Sequence, residues 1–180
     1  MIIVMGLPGA GKSTVLSAAT GSGYRLLNYG DMMFDIARKK FGISARDEMR
    51  KLPPEAQKEV QAAVGDELAG LEGKILLDTH CSISTPGGYL PGLPLSLLSK
   101  LHVDKLVLIT APVEEITARR QADKTRVRDS EPAESLLEHD QMNRALLAAY
   151  ACATGAPAAI ISNRQGKLDS AQAKFLSLLK

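Results

Sequence analysis

Apolar residues in this chain of 180 fall into two textures that alternate from end to end: short unbroken runs, and stripes at helical spacing. The runs are Ile2-Ile3-Val4-Met5, Tyr24-Arg25-Leu26-Leu27-Asn28-Tyr29, Lys74-Ile75-Leu76-Leu77-Asp78, Lys105-Leu106-Val107-Leu108-Ile109-Thr110 and Ala158-Ala159-Ile160-Ile161-Ser162. Runs of this length read as strands, and strands apolar on both faces belong to a covered, parallel sheet. Between them, Met33, Ile36, Ala37 and Phe41 recur at helical spacing with Gly42 as a stop. Pro53 or Pro54 starts a second helix that carries Ala56, Val60, Ala63, Val64 and Leu71 inward, and Pro112 a third that ends near Arg119 and Arg120. Met142, Ala145, Leu146, Ala149, Tyr150 and Ala153 predict a fourth. In the last, Asp169 caps and Gln172, Phe175, Leu176 and Leu179 share a face. The alternation predicts an α/β fold, a five-stranded parallel sheet flanked by helices. The stretch from Gly30 to Gly73 holds more helix than a simple crossover needs, which suggests a subdomain over the active edge.

Composition narrows the function classes. A chain this long builds one domain with a substantial core. A net charge of +2 gives no case for bulk binding of nucleic acid or an anionic membrane surface, and 4% aromatics without tryptophan argue against base stacking on a strand. No apolar run approaches the roughly 18 residues that cross a bilayer. The N-terminus leads directly into the first strand, so no signal peptide is expected. Cys81 and Cys152 lie far apart, and reduced thiols in a cytoplasmic protein are expected over a disulfide. Three scattered histidines form no metal-ligand cluster.

The first run is followed at once by Gly6-Leu7-Pro8-Gly9-Ala10-Gly11-Lys12-Ser13 and a helix-compatible stretch, Thr14 to Ala19. This is a phosphate-binding loop in the strand–loop–helix setting the motif requires. Glycines let backbone N–H groups converge on phosphate oxygens at the start of a helix. Lys12 adds a charge that reaches the outer phosphates, and the Ser13 hydroxyl suits a magnesium ion. A nucleoside triphosphate is therefore expected here. Asp78, at the carboxyl end of a buried strand, is the expected second partner of magnesium, directly or through water, with a turn cap as its alternative. His80, two residues on, lines the site or is a hydrogen-bonded structural residue.

Three further segments bear on substrate. Arg119, Arg120, Lys124, Arg126 and Arg128 crowd into ten positions of an otherwise balanced chain. A charge run is often a solvated face, but this one follows a strand–helix unit returning to the phosphate edge, where planar guanidiniums hold a transferring phosphoryl group. Arg46 and Arg50, four apart, share a helical face; they hold a second substrate's phosphate or pair with acidic neighbours on a solvated helix. Thr85-Pro86-Gly87-Gly88-Tyr89-Leu90-Pro91-Gly92-Leu93-Pro94 is a shaped loop after the third strand, either a surface connection or, beside Asp78, a substrate wall carrying Tyr89.

Taken together these segments resemble the archaeal type of adenylate kinase, a P-loop nucleoside monophosphate kinase. The resemblance runs through Gly6–Thr14, Asn28-Tyr29-Gly30-Asp31-Met32-Met33, Arg46-Asp47-Glu48-Met49-Arg50-Lys51-Leu52, Asp78-Thr79-His80, the Thr85–Pro94 loop, Thr125-Arg126 with Arg128, Met142-Asn143-Arg144, Thr154-Gly155-Ala156 and Ser162-Asn163. It implies ATP + AMP ⇌ 2 ADP with magnesium, within a single kinase domain (1–180). An AMP-binding segment would span about residues 30–70 and a short lid about residues 123–133, without the cysteines of a structural zinc site. It implies that residues Gly6, Leu7, Pro8, Gly9, Ala10, Gly11, Lys12, Ser13 and Thr14, together with Asn163, hold ATP. Lys12, Arg126 and Arg128 would be catalytic, with Asp31, Arg46, Arg50 and Tyr89 on the AMP side and Ser13 and Asp78 at the metal. Some members of the family are homotrimers. The loop after Asp78 lacks a glutamine to read the adenine edge of AMP, so base choice would rest on backbone groups and shape.

Another small-molecule kinase, with a different nucleotide or a non-nucleotide acceptor, would share the fold and donor. A switch GTPase needs Asn-Lys-x-Asp and Asp-x-x-Gly motifs, which Asn163-Arg164-Gln165-Gly166 and Asp78-Thr79-His80-Cys81 do not provide. Near-neutral charge offers no support for an RNA-linked role.

Overall fold

The computed structural model describes residues 1–49, 51–122 and 132–180. Along the chain run β1 (Ile2–Gly6), α1 (Lys12–Leu16), a 3-10 turn at Ser17–Ala19, β2 (Arg25–Asn28), α2 (Tyr29–Phe41), α3 (Arg46–Met49), α4 (Pro54–Ala69) and β3 (Ile75–Asp78). Then come β4 (Ser82–Thr85), β5 (Gly88–Pro91), α5 (Leu95–Leu98), β6 (Lys105–Thr110), α6 (Val113–Ala122), α7 (Ala133–Thr154), β7 (Ala158–Ser162) and α8 (Leu168–Ser177). The five apolar runs form one parallel sheet in the order β2-β3-β1-β6-β7.

Alternation along each strand feeds two cores. Ile3, Met5, Leu77, Leu106 and Leu108 face α2, α4, α5 and α7, where Ala37, Val64, Leu97 and Leu147 meet them. Ile2, Val4, Leu76, Val107 and Ile109 face the other way, toward Val15, Ile116 and Phe175 of α1, α6 and α8. Burying a side chain of this size contributes about 1.5–3 kcal/mol, so the doubly covered central strands anchor the fold. β1 and β3 are buried throughout and adjacent, with Asp78 at the end of β3 opposite Val4 and β1 running on to Gly6, which fixes the two ends that carry the phosphate loop and Asp78.

Several expectations need correction. Tyr29 opens α2 rather than closing β2, because the Asn28 side chain accepts a hydrogen bond from Asp31 N and caps the helix. The Thr85–Pro94 stretch is not a plain loop: Ser82 pairs with Pro91 and Thr85 with Gly88, giving an antiparallel hairpin. Its base is tied to the body of the protein, with Gly92 N donating to Cys81 O and Tyr150 Oη donating to the same carbonyl. The inward stripe of α7 is Leu136, His139, Asp140, Asn143, Leu147 and Tyr150, whereas Ala145, Ala149 and Ala153 are exposed. An apolar-only pattern caught Tyr150 and the half-buried Leu146 but missed most of the inward face, because this helix buries polar side chains that have partners. Asn143 accepts from Ser82, Asp140 from Thr110, and His139 Nε2 lies 3.0 Å from Ser82 Oγ. In α8 the cap position is Lys167, with Asp169 in the first turn; Ala171 and Phe175 point inward and Leu176 outward. Among the described residues no helix is long and apolar enough to cross a membrane.

Both cysteines are free. Cys81 is buried, its thiol pushed up to about 12 by loss of solvent, and donates to Asn143 O; Cys152 is exposed on α7. A thiol reagent reacts through the thiolate, so native protein should lose one thiol per chain rapidly and the second only on unfolding. Titration with and without denaturant checks this, and Cys152→Ser should abolish the rapid phase.

Candidate functional site

The phosphate loop leaves β1 at Gly6, which passes so near β6 that a Cβ there would sit 2.4 Å from the Ile109 carbonyl oxygen. It turns through Ala10 N donating to Leu7 O and enters α1 through Gly11, whose φ of 81° is left-handed. A Cβ on Gly11 would also lie 2.2 Å from Asn163 Nδ2. Only glycine suits both demands. α1 itself has five residues before it tightens into the 3-10 turn. So short an element has little macrodipole, and the anion site rests on the loop N–H groups and Lys12 more than on the helix.

Side chains from α6 and from the residue after β7 hold the loop by its carbonyls. Asn163, buried after β7, donates from Nδ2 to Ala10 O at 3.0 Å. Arg119 donates from Nη1 to the same carbonyl at 3.4 Å, and from Nη2 to Asn163 O and to Glu115 Oε2 at 3.0 and 2.9 Å. Arg120 Nε donates to Pro8 O at 2.8 Å. These contacts occupy the Pro8 and Ala10 carbonyls and brace the loop through its acceptors.

In front of the loop, Lys12 Nζ forms an ion pair with Asp78 Oδ1. Both side chains are largely buried. Burial pushes the Lys12 ammonium down to about 8, which leaves it charged at neutral pH. The other oxygen of Asp78 accepts from Asn28 Nδ2 at 3.1 Å. Ser13 and Asp78 line one cavity of about 330 Å³ with Leu16, Ser17, Tyr24 and Leu26. A hydroxyl and a carboxylate lining one cavity are hard donors that fit magnesium.

At the opposite edge, Asp31 in the first turn of α2 forms an ion pair with Arg46 of α3, both side chains more than half exposed. Tyr89 lies on β5, its ring 4.9 Å from that of His139 on α7. His80 is exposed beyond β3. Arg50, Lys124, Arg126 and Arg128, and most of the expected lid (123–133), lie outside the described residues.

Sequence reasoning gave Asn28 no role of its own, and it placed Arg119 and Arg120 only in the cationic run expected at the transferring phosphate, not as braces of the loop. For Asn28 the signal was available: an Asn three residues before an Asp at the end of a strand is a helix-cap signature. For the two arginines only the charge was visible, not the carbonyls they meet.

A family model described as an AAA domain matches residues 5–137. Among solved structures, a shikimate kinase from Acinetobacter baumannii in complex with shikimate superposes with a TM-score of 0.62, covering 99% of this chain and 91% of that one, at 23% identity. That likeness is one of fold. The adenylate kinase of Methanothermobacter thermautotrophicus is 45% identical, covering 100% of this chain and 99% of the relative. That of Methanocaldococcus jannaschii is 42% identical over 100% and 98%. With such identity along the full length of both chains, and the phosphate loop at the end of β1, this chain belongs to the archaeal adenylate kinase family.

Proposed function

We propose that the chain catalyses ATP + AMP ⇌ 2 ADP in the cytoplasm, with residues Gly6–Thr14 and Asn163 serving the ATP side and Asp31, Arg46, Arg50 and Tyr89 the AMP side. Family membership along the whole chain is the observation that carries the reading. The kinase domain would span 1–180, with an acceptor segment at about 30–70 and a lid at about 123–133, and the homotrimer of some relatives belongs to the same proposal.

The chemistry asks little of an acid or base. An oxygen of the AMP phosphate, already anionic, attacks the γ-phosphorus of ATP; the bond to the β,γ-bridging oxygen breaks, and two molecules of ADP result without net proton transfer. The protein's work is alignment, charge screening and exclusion of water, which would otherwise take the phosphoryl group. Lys12 meets Asp78 in the structure, so on this reading it exchanges a carboxylate for a phosphate oxygen when ATP arrives. Ser13 and Asp78 would hold magnesium, which when bound neutralises phosphate charge. Arg126 and Arg128 would close on the transferring group.

A coupled assay of ADP formation from ATP tests the acceptor. AMP should be turned over far faster than CMP, UMP, GMP or shikimate. Equal or faster turnover of any of these would overturn the AMP assignment and leave phosphoryl transfer standing.

A further inference from the structure

We propose that Asn28 is a positioning residue that couples the acceptor-side helix α2 to the Lys12–Asp78 pair, and that this coupling acts on turnover rather than on substrate binding. The inference rests on the roles given above to Lys12 and Asp78.

The geometry begins with strand register. Asn28 and Asp78 are paired residues of adjacent parallel strands, at the last position of each. Their side chains therefore emerge side by side at the carboxyl edge of the sheet. The Asn28 amide uses both ends. Its Oδ1 accepts from Asp31 N at 3.1 Å, capping α2, and its Nδ2 donates to Asp78 Oδ2 at 3.1 Å. A backbone N–H on one side and a carboxylate on the other allow one orientation of the amide, since the flipped form would set oxygen against oxygen and N–H against N–H. The connection is continuous from α3 to the phosphate loop: Arg46 pairs with Asp31, Asp31 N–H binds Asn28, Asn28 binds Asp78, and Asp78 pairs with Lys12.

Two consequences follow. When Lys12 turns from Asp78 to a phosphate, Asp78 loses its cation, and the Asn28 donor is what keeps the carboxylate in place. A carboxylate held by one fixed donor retains its direction, whereas one left with none rotates or draws in water, and small misplacements at a reacting centre are costly. Movement of α2 also bears on Asp78 through a rigid planar amide. The end of the sheet nearest the acceptor thereby senses and adjusts the end nearest the donor.

A merely structural role predicts only the cap, and substitution separates the two. Asp and Ser are both good N-caps and keep an acceptor for Asp31 N–H. The Ser hydroxyl, held at the cap, ends one bond short of the position from which Nδ2 donates to Asp78, and Asp has no donor at neutral pH and adds a like charge beside it. Asn28→Ser should lower kcat by about tenfold or more, with KM for both nucleotides within about twofold. Its Tm should stay within about 3 °C, and ATP affinity measured by calorimetry without magnesium should be unchanged. Asn28→Asp, close to isosteric, should lose more. Neither substitution should cost anything further in an Asp78→Ala background, because the effect runs through that carboxylate. Turnover within twofold of the parent in Asn28→Ser overturns the proposal, as does the same loss with Asp78 already removed. Near-normal turnover in Asp78→Ala alone overturns the role given to Asp78, and this coupling with it.

Discussion

Lys12→Ala lowers turnover by at least about a hundredfold while the circular dichroism spectrum stays that of the parent. Every 1.4 kcal/mol of lost transition-state stabilisation is a factor of ten, and a fixed charge on the transferring phosphate supplies about 3 kcal/mol or more. The structure sharpens the expectation. Lys12 is largely buried and charged at neutral pH, so its interaction with phosphate is little screened by water. Removing it also leaves Asp78 facing the incoming phosphates with no intervening cation. Lys12→Met keeps the length and apolar stem without the charge, and should lose nearly as much as alanine; that outcome assigns the effect to charge rather than packing. Turnover within a few-fold of the parent in both variants would show that the loop binds nucleotide without acting on the transfer.

The contrast between what the sequence disclosed and what it concealed has a physical pattern. Strand runs Lys105–Thr110 and Ala158–Ser162 match the structure residue for residue; the first is apolar because β6 is covered on both faces, whereas β7 lies at the sheet edge with only Ile161 fully buried. Phosphate-loop glycines were equally legible, since Gly6 and Gly11 meet steric demands no other residue can. Side chains whose meaning depends on a distant partner were not. Asn143 and His139 face inward on α7 because Ser82 awaits them some sixty residues earlier in the chain, and nothing in the local pattern of α7 announces that. The β4–β5 hairpin hid for a related reason. Its proline and glycine content reads as loop, yet Gly88 supplies the positive φ of a tight turn, and the pairing from Ser82 to Pro91 is short enough to tolerate a proline at its end. Arg119 and Arg120 were visible as charge but not as braces for the carbonyls of Ala10 and Pro8.

That last point bears on the cationic run as a whole. Arg119 and Arg120 are engaged with the carbonyls of Ala10, Asn163 and Pro8, so the screening of the transferring group proposed above falls to Arg126 and Arg128. Arg126→Ala and Arg128→Ala should each lower kcat by about thirtyfold to a hundredfold, with ATP affinity changed by less than about threefold. A guanidinium that meets phosphate only as charge redistributes contributes to the transition state and little to the ground state, so its loss appears in kcat. Lysine should rescue poorly at either position, because it restores charge without the planar fork that spans two oxygens. Arg119→Ala supplies the opposite pattern for comparison. It takes a donor from the Asn163 carbonyl and the weaker of two from the Ala10 carbonyl, loosens the loop, and should weaken ATP binding and lower Tm before it affects the transfer step. Steady-state kinetics, ATP affinity and thermal melts on the three alanine variants decide the matter. Unchanged kcat in both Arg126→Ala and Arg128→Ala, with a fall in Arg119→Ala, would move the screening role from the far end of the run to the arginines at its start.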